Sequence, residues 1–597
     1  MRVLKAGLKS DDYTWRQTRP GIWQRDADEA EVFYSTLAKL YEGSGRMQFA
    51  ITGHISLTIK VPQDEDPEVV SKRLDESLRI AWLRQRYETP TIASKAHYDA
   101  LDGKWKKSYR TIPDDASAKA WLEKTFRVVV TTNQGGEAWG NSDPPAPHVA
   151  TLFVVCPVFE KRDPSTIRRD LVLRSPHDII DGIGTLHFLN SLVTKTAQAF
   201  REGDFFRSVP VFDGSEASNL SPPYRVAANI PFVPTPEQQA RLDDALKSAP
   251  KPDDQASELA PVEIGIPYNT QGPLLPAQSR RFSVFWSQEQ LSALTTHLKT
   301  HCHPGTTVTH VFHAAIALVL RSLNNDGHST SANATPLVPE QKVRYTNYLL
   351  RNERPSCIPP YHSPAHCVSV YHSLPATKLQ IDMAPSVLPQ TMNDRRAEFE
   401  SILAQIREFY TAVKDDEQHH ALLAPAIWAE WTRQLGVPEQ VLNGEEQMDV
   451  PRPKEVPSVS ISSLGVVDKI VKKWHSLGLS GSEGPEKSSS GESKSKREGS
   501  KEGGEEEEYE KRREGTLEVR WPWVTGDELS NGLGVFLGTF DGRLEISCVY
   551  NEAWHSEAEV KDFLSSLDFY VQEWIEGGLM NPYDGGGWEP EGWRGFR

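Results

Sequence analysis

The residues whose types and spacing best suit chemistry stand together in one run, His177-Asp178-Ile179-Ile180-Asp181-Gly182. A histidine titrates near neutral pH, so its neutral imidazole can take a proton from a hydroxyl and pass it to a leaving group. A hydroxyl attacking a thioester needs that service, because its proton must leave as the new bond forms. The oxyanion that develops needs a donor from backbone or hydroxyl groups. Ser462 and Ser463 are candidates for that donor, or for no more than a turn. Asp181, four residues after the histidine, is better placed to cap the start of a helix than to relay protons. Gly182 lets backbone come close to a bulky reactant.

Other chemistry-bearing residues group less well. His301, Cys302, His303, His310 and His313 lie near one another in sequence, but no carboxylate or CxxC accompanies them. They are expected to be solvated or core histidines rather than metal ligands, so no metal is expected. His97 before Asp102-Gly103 has one residue too many between His and Asp to repeat the run at 177. No G-x-S-x-G, Walker A or GxGxxG run in strand-to-helix context is present, which removes support for triad hydrolase and nucleotide-binding readings.

The elements around the run must place it. Residues 171–174 read as a short strand leading into Ser175-Pro176, and the proline holds Ser175 extended and marks a turn. Residues 182–200 then have a helical period, with Ile183, Leu186, Leu189 and Val193 on one side. Strands are expected at 48–61, and buried strands at 127–133 and 149–159, with a helix at 67–87. The Pro-dense stretch 215–280 reads as a connector, with one short helix at 236–246. A second α/β pattern follows: a strand at 281–286, a helix from 287 to 300 capped by Ser287, an almost wholly apolar helix at 307–320 and an amphipathic helix at 395–413. Next come a strand at 456–461 and a turn at 462–465. Residues 481–513 lack the apolar side chains that offset chain entropy and are expected to be disordered. Strands at 517–523, 534–540 and 543–550, the latter two joined by Asp541-Gly542, precede a last helix at 556–575 and a loose Gly-rich tail at 580–597.

The totals agree with a chain of more than one lobe. At 597 residues the chain exceeds what one core supports. A formal charge of −16 disfavours nucleic-acid binding, and five cysteines without a CxxC fit a reducing, cytoplasmic setting. The charged first 25 residues show no secretory pattern, and the longest apolar stretch, 311–320, is too short to span a membrane.

The run SPHDIIDGIGTLHFLNSL resembles the HxxxDG motif of the chloramphenicol-acetyltransferase-like superfamily, which includes peptide-synthetase condensation domains and acyl-CoA-dependent acyltransferases. GTTVTHVFHAAIALVL, KVRYTNYLL, VSISSLGVVD and RLEISCVYNEAWHSEAEVKDFL resemble later stretches of the same superfamily, in the same order. Within it the chain is most similar to fungal trichothecene 15-O-acetyltransferases. The resemblance implies an α/β fold of two chloramphenicol-acetyltransferase-like lobes, a pseudo-dimer with a central tunnel. The lobes would be residues 1–214 and 281–480 with 514–579, joined by 215–280 and interrupted by the charged insert 481–513. It implies His177 as catalytic base and Asp181 as a structural residue paired with an arginine of the second lobe, for which Arg344 is the candidate. It also implies 459–468 as the loop flooring the channel, no bound cofactor, and acyl-CoA, acetyl-CoA in the first instance, as cosubstrate of a monomer. The acceptor would be a hydroxylated secondary metabolite of the terpenoid, trichothecene-like or polyketide kind. Pro176 stands where condensation-type motifs carry a first His, and the DFGWG motif of the plant-type branch is absent. A free-standing condensation enzyme with a carrier-bound donor and a binding protein without catalysis remain the alternatives. Deleting residues 482–511 is expected to leave the melting temperature unchanged; a large drop would contradict disorder there.

Overall fold

The computed structural model describes residues 10–159, 163–206, 210–247, 260–269, 277–325, 341–384, 391–415, 423–479 and 515–576. The insert and the tail, for which disorder and looseness are expected, lie outside the described residues.

Two sheets carry the architecture, and they repeat one another. In the six-stranded sheet, Ile51–Lys60 pairs antiparallel with Thr166–Ser175, which pairs antiparallel with Thr151–Val158, which pairs parallel with Phe126–Thr132. In the four-stranded sheet, Ser279–Trp286 pairs antiparallel with Arg543–Asn551, which pairs antiparallel with Leu533–Phe540, which pairs parallel with Val459–Val466. In each, the first strand of the lobe lies beside its last, and the last runs into a long helix, Gly182–Phe206 or Glu557–Glu576. The expected pseudo-dimer is therefore present as a repeat of topology.

Each sheet has its own core. In the first lobe Ile55, Leu57, Leu171 and Leu173 meet Leu74, Leu78, Leu186, Leu189 and Val193 from the helices Pro67–Glu88 and Gly182–Phe206. In the second, the run Val311–Leu320, apolar but for His313, is buried on every side within the helix Val308–Asn325, as its composition predicts. Ser287 caps the helix Gln288–His301 in a reciprocal capping box with Gln290. Asp541 and Gly542 both take positive φ, as a tight hairpin turn demands.

Several expectations change. The strand Thr516–Gly526, placed with the second lobe from sequence, crosses over and pairs with Ile51–Lys60, with Trp474–Ser476 outside it. The second half of the chain thus completes the first lobe's sheet. Residues 215–280 do more than connect, because Val262–Ile264 adds a parallel strand beside Val343–Asn347. Phe126–Thr132 is an edge strand rather than a buried one, with Val128 at 55% and Val130 at 71% exposure. Residues 462–465 form no turn and no loop: the strand continues through them to Val466, with an irregularity between Ser463 and Gly465. A third sheet not foreseen from sequence joins Arg16–Arg19, Ile22–Asp26, Lys104–Arg110 and Lys95–Asp99. Among the described residues no helix is long and apolar enough to cross a membrane, and all five cysteines are free.

One close approach fixes how the helix after the motif lies on the sheet. A Cβ on Gly53, within Ile51–Lys60, would stand 2.3 Å from the Thr185 methyl and 3.2 Å from Leu189 Cδ1. Thr185 cannot easily turn away, since its hydroxyl donates to the Asp181 carbonyl at 2.8 Å. Gly53→Ala is expected to cost roughly 1–3 kcal/mol, read as a lower urea midpoint. An unchanged midpoint would show that this helix tolerates displacement.

Candidate active site

The strand Thr166–Ser175 delivers Ser175 and Pro176, and the Ile179 amide donates back to the Pro176 carbonyl at 3.3 Å, closing a turn that carries His177. Asp181 then caps the helix. Its Oδ1 accepts from the Gly184 amide at 2.7 Å, and its carbonyl accepts from the Thr185 amide at 2.9 Å. Its other oxygen faces a segment from the second half of the chain. There Oδ2 accepts from Arg354 Nη1 at 2.9 Å and from the Tyr371 amide at 2.8 Å, and His372 Nδ1 lies 3.8 Å away. Burial alone would raise this carboxyl's pKa, but the Arg354 guanidinium, with His372, holds it well below the usual range.

Arg354 therefore occupies the place for which Arg344 was the candidate. Arg344 points outward and forms a two-pronged pair with Asp382 across the sheet edge. The strand Val343–Asn347 alternates, with Val343, Tyr345 and Asn347 buried, so Arg344 falls on the outer face.

Within the motif helix the tightest internal approach is at Gly184 rather than Gly182. A Cβ on Gly184 would meet the Cys367 carbonyl at 2.2 Å, whereas one on Gly182 would sit 3.8 Å from Leu464 and Val524, an ordinary contact. Ser462 and Ser463 lie in the strand Val459–Val466, and the Ser463 hydroxyl accepts from Thr309 at 2.9 Å. Among the residues of that strand it is Leu464 that reaches the motif helix.

His177 itself is half-buried, and its Nδ1 is buried without a partner among the described residues. Its ring lies flat against Tyr34, with centroids 3.8 Å apart and planes within 4°. His372 stands 5.6 Å away, and the Tyr34 hydroxyl is bonded to His372 Nε2 at 2.8 Å. Burial, and then the neighbouring His372, push the His177 pKa down to about 3, so the ring is neutral across the physiological range. Trp428 closes the group, 5.6 Å from Tyr34 and 5.4 Å from His372.

Asp178 is turned away from this chemistry. Its carboxylate accepts from the fully buried Lys107 at 2.7 Å, and its carbonyl accepts from the same ammonium at 2.6 Å. Lys107 lies 4.0 Å from Glu31, which Arg25 grips with two bonds of 2.6 Å. Glu31 also belongs to the capping box of the helix Glu29–Leu40, which carries Tyr34. Residues missed from sequence are thus Tyr34, Lys107, Arg354 and His372. Only the helix of Tyr34 had a readable signal, the Asp28-x-x-Glu31 capping pattern.

The histidine group near 301–313 binds differently from a metal site. His313 is buried with Nδ1 3.3 Å from the Tyr410 hydroxyl, and among the described residues no set of three or more His, Cys, Asp or Glu could hold a metal ion.

A two-lobed fold with a histidine turn and a capping Asp-Gly is that of a chloramphenicol-acetyltransferase-like acyltransferase. The family model described as 15-O-acetyltransferase Tri3 matches residues 8–339, and the chain belongs to that family. It is 22% identical over 558 residues to the acetyltransferase pigO of Monascus ruber, covering 93% of this chain and 96% of that one. It is 23% identical over 472 residues to the O-acetyltransferase pigM of the same organism, covering 78% and 76%. The TRI3 trichothecene 15-O-acetyltransferase of Fusarium sporotrichioides shares the fold, with TM-score 0.70 at 17% identity over 95% of this chain and 99% of that one.

Arg354→Met would leave the Asp181 charge buried without its cation, and is expected to cost roughly 3–5 kcal/mol at pH 7. A carboxyl held below its unfolded value contributes stability above about pH 4 that is lost as the pH falls. The variant should therefore lose less on acidification than the wild type. Equal urea midpoints for the two at pH 7 would remove Arg354 from this role.

Proposed function

We propose that the chain transfers an acetyl group from acetyl-CoA to a hydroxyl of a secondary metabolite, with His177 as general base. The acceptor class is a hydroxylated terpenoid, trichothecene-like or polyketide compound, in keeping with the names of the relatives. The observation that carries the proposal is a neutral, half-buried imidazole held on a turn, with its Nδ1 enclosed.

Nε2 takes the hydroxyl proton as the acceptor oxygen bonds to the thioester carbonyl carbon. The tetrahedral intermediate then expels the thiolate, the carbon–sulfur bond breaks, and the imidazolium returns the proton to sulfur, leaving ester and free thiol. The proton count closes with no other reactant. Low water access around the ring limits competing hydrolysis of the thioester. A base that is neutral at working pH is ready to act, and the cost of its depressed basicity falls on the protonated intermediate state.

Incubation of the protein with acetyl-CoA and a panel of hydroxylated terpenoids and polyketides, followed by mass spectrometry, identifies the acceptor as a product heavier by one acetyl group. His177→Ala is expected to cut kcat roughly 10²–10⁴-fold with the fold retained. Because burial lowers the His177 pKa from its ordinary value near 6.5, the acid limb of kcat/KM should fall well below pH 6. Full turnover by the alanine variant, or an acid limb at pH 6.5 or above, would sink the base role.

A further inference from the structure

We propose that Tyr34 is a positioning residue whose ring face stabilises the His177 imidazolium during acyl transfer, a task that in many histidine bases falls to a carboxylate. The inference rests on His177 acting as the base, and it adds the group that makes that base effective.

A neutral ring in an enclosed site is ready to accept a proton, but the charge it then carries is poorly tolerated there. Something near His177 must offset that charge. Both carboxylates of the motif are committed elsewhere: Asp178 to Lys107, and Asp181 to Gly184, Arg354 and Tyr371. The acceptor beside the His177 ring is its own backbone carbonyl, a neutral group, and Nδ1 is paired with no carboxylate among the described residues. His372 adds an opposing influence, since a second imidazole at 5.6 Å disfavours a second charge.

What does face the ring is Tyr34. The two rings are parallel within 4° at 3.8 Å, so the π-cloud of the phenol covers one whole side of the imidazole. The quadrupole of an aromatic ring is negative on its face, and a cation over that face is attracted, more so when water is excluded. Tyr34 is buried, and its place is determined from both ends. Its helix is anchored through Glu31 to Arg25, and its hydroxyl is bonded to His372 Nε2 at 2.8 Å. His372 in turn stands beside Asp181, and Phe33 and Trp428 pack against Tyr34 on its own side. A stack this constrained does not have to form at the moment of reaction. It is present beforehand, as preorganised stabilisation requires. It also leaves the neutral ring's binding of either reactant almost unaffected, because the neutral imidazole gains little from the quadrupole.

The test replaces the ring without removing its volume. Phenylalanine and its mono-, di- and trifluoro analogues are placed at position 34, which withdraws face charge stepwise at nearly constant shape. Tyr34→Phe is expected to keep most of the wild-type kcat, since the face remains. Successive fluorination should lower log kcat steadily, to roughly a tenfold loss across the series, with KM for both substrates and the melting temperature unchanged. Tyr34→Leu should show at least the same loss. A flat kcat across the fluorinated series would overturn the proposal, and so would a fall in Tyr34→Phe as large as in Tyr34→Leu, which would assign the effect to the hydroxyl. Should His177→Ala retain full turnover, the base assignment itself would fail, an outcome read from a different variant.

Discussion

One buried carboxylate ties the turn that carries His177 to the rest of the molecule. A charge out of water is tolerated only where it is paired and its lone pairs are used, and Asp181 meets that condition through three donors. The Gly184 amide comes from its own helix, and Arg354 and the Tyr371 amide come from far along the chain. The same atom set therefore caps the motif helix and docks a segment of the second half onto it. Gly184 lacks a side chain where the Cys367 carbonyl would touch it, so the docking is as close as backbone permits. Once these contacts are made, the direction in which His177 leaves the turn is no longer free.

A second set of buried charges works from the opposite side. Arg25, Glu31, Lys107 and Asp178 come from two strands, a helix and the motif, and they alternate in sign. Burial would raise the pKa of Glu31, but Arg25 and Lys107 bring it below its ordinary value. Each member would be costly alone; together they hold the helix Glu29–Leu40 at one distance from the residue beside His177. That distance is what a stacked pair of rings needs. The third sheet, unforeseen from sequence, supplies Arg25 and Lys107, so its place in the molecule has a chemical reason.

Much of this was legible in the sequence, and the failures share a cause. Pro176, the apolar period after Gly182 and the Ser287 cap are local signals, and the elements they predict are present. The run 311–320 was readable because a helix apolar at every position but His313 has nowhere to go but inside. The partner of Asp181 was a different kind of question. Arg344 lies in an alternating strand whose buried Val343 and Tyr345 already put the arginine outside, so the period-2 rule would have excluded it. Arg354 stands among prolines and short turns with no period at all, and nothing local marks it. Likewise no residue of Thr516–Gly526 states which sheet it joins. Its register shift between Arg520 and Trp523, with Trp521 at φ 52°, is visible only in three dimensions. Partnership between distant segments is decided by packing, and one sequence carries little of it.

The topological repeat puts a histidine after the last strand of each lobe, and the two are used differently. In the second lobe the strand Arg543–Asn551 also ends in a short turn before a long helix, and that turn also holds a histidine. His555, however, is buried and bonded through Nε2 to the Asn531 carbonyl at 3.0 Å, while the Asn551 amide group donates to Leu529. Those side chains are used to fasten the turn to the segment before Leu533–Phe540. In the first lobe the fastening is done by Asp181, Asp178 and the residues that grip them, and the imidazole is left over. A histidine whose hydrogen bonds are already satisfied is part of the scaffold, whereas the His177 ring lies against the face of Tyr34 and its Nδ1 is paired with no side chain among the described residues, the arrangement on which the proposed base role rests.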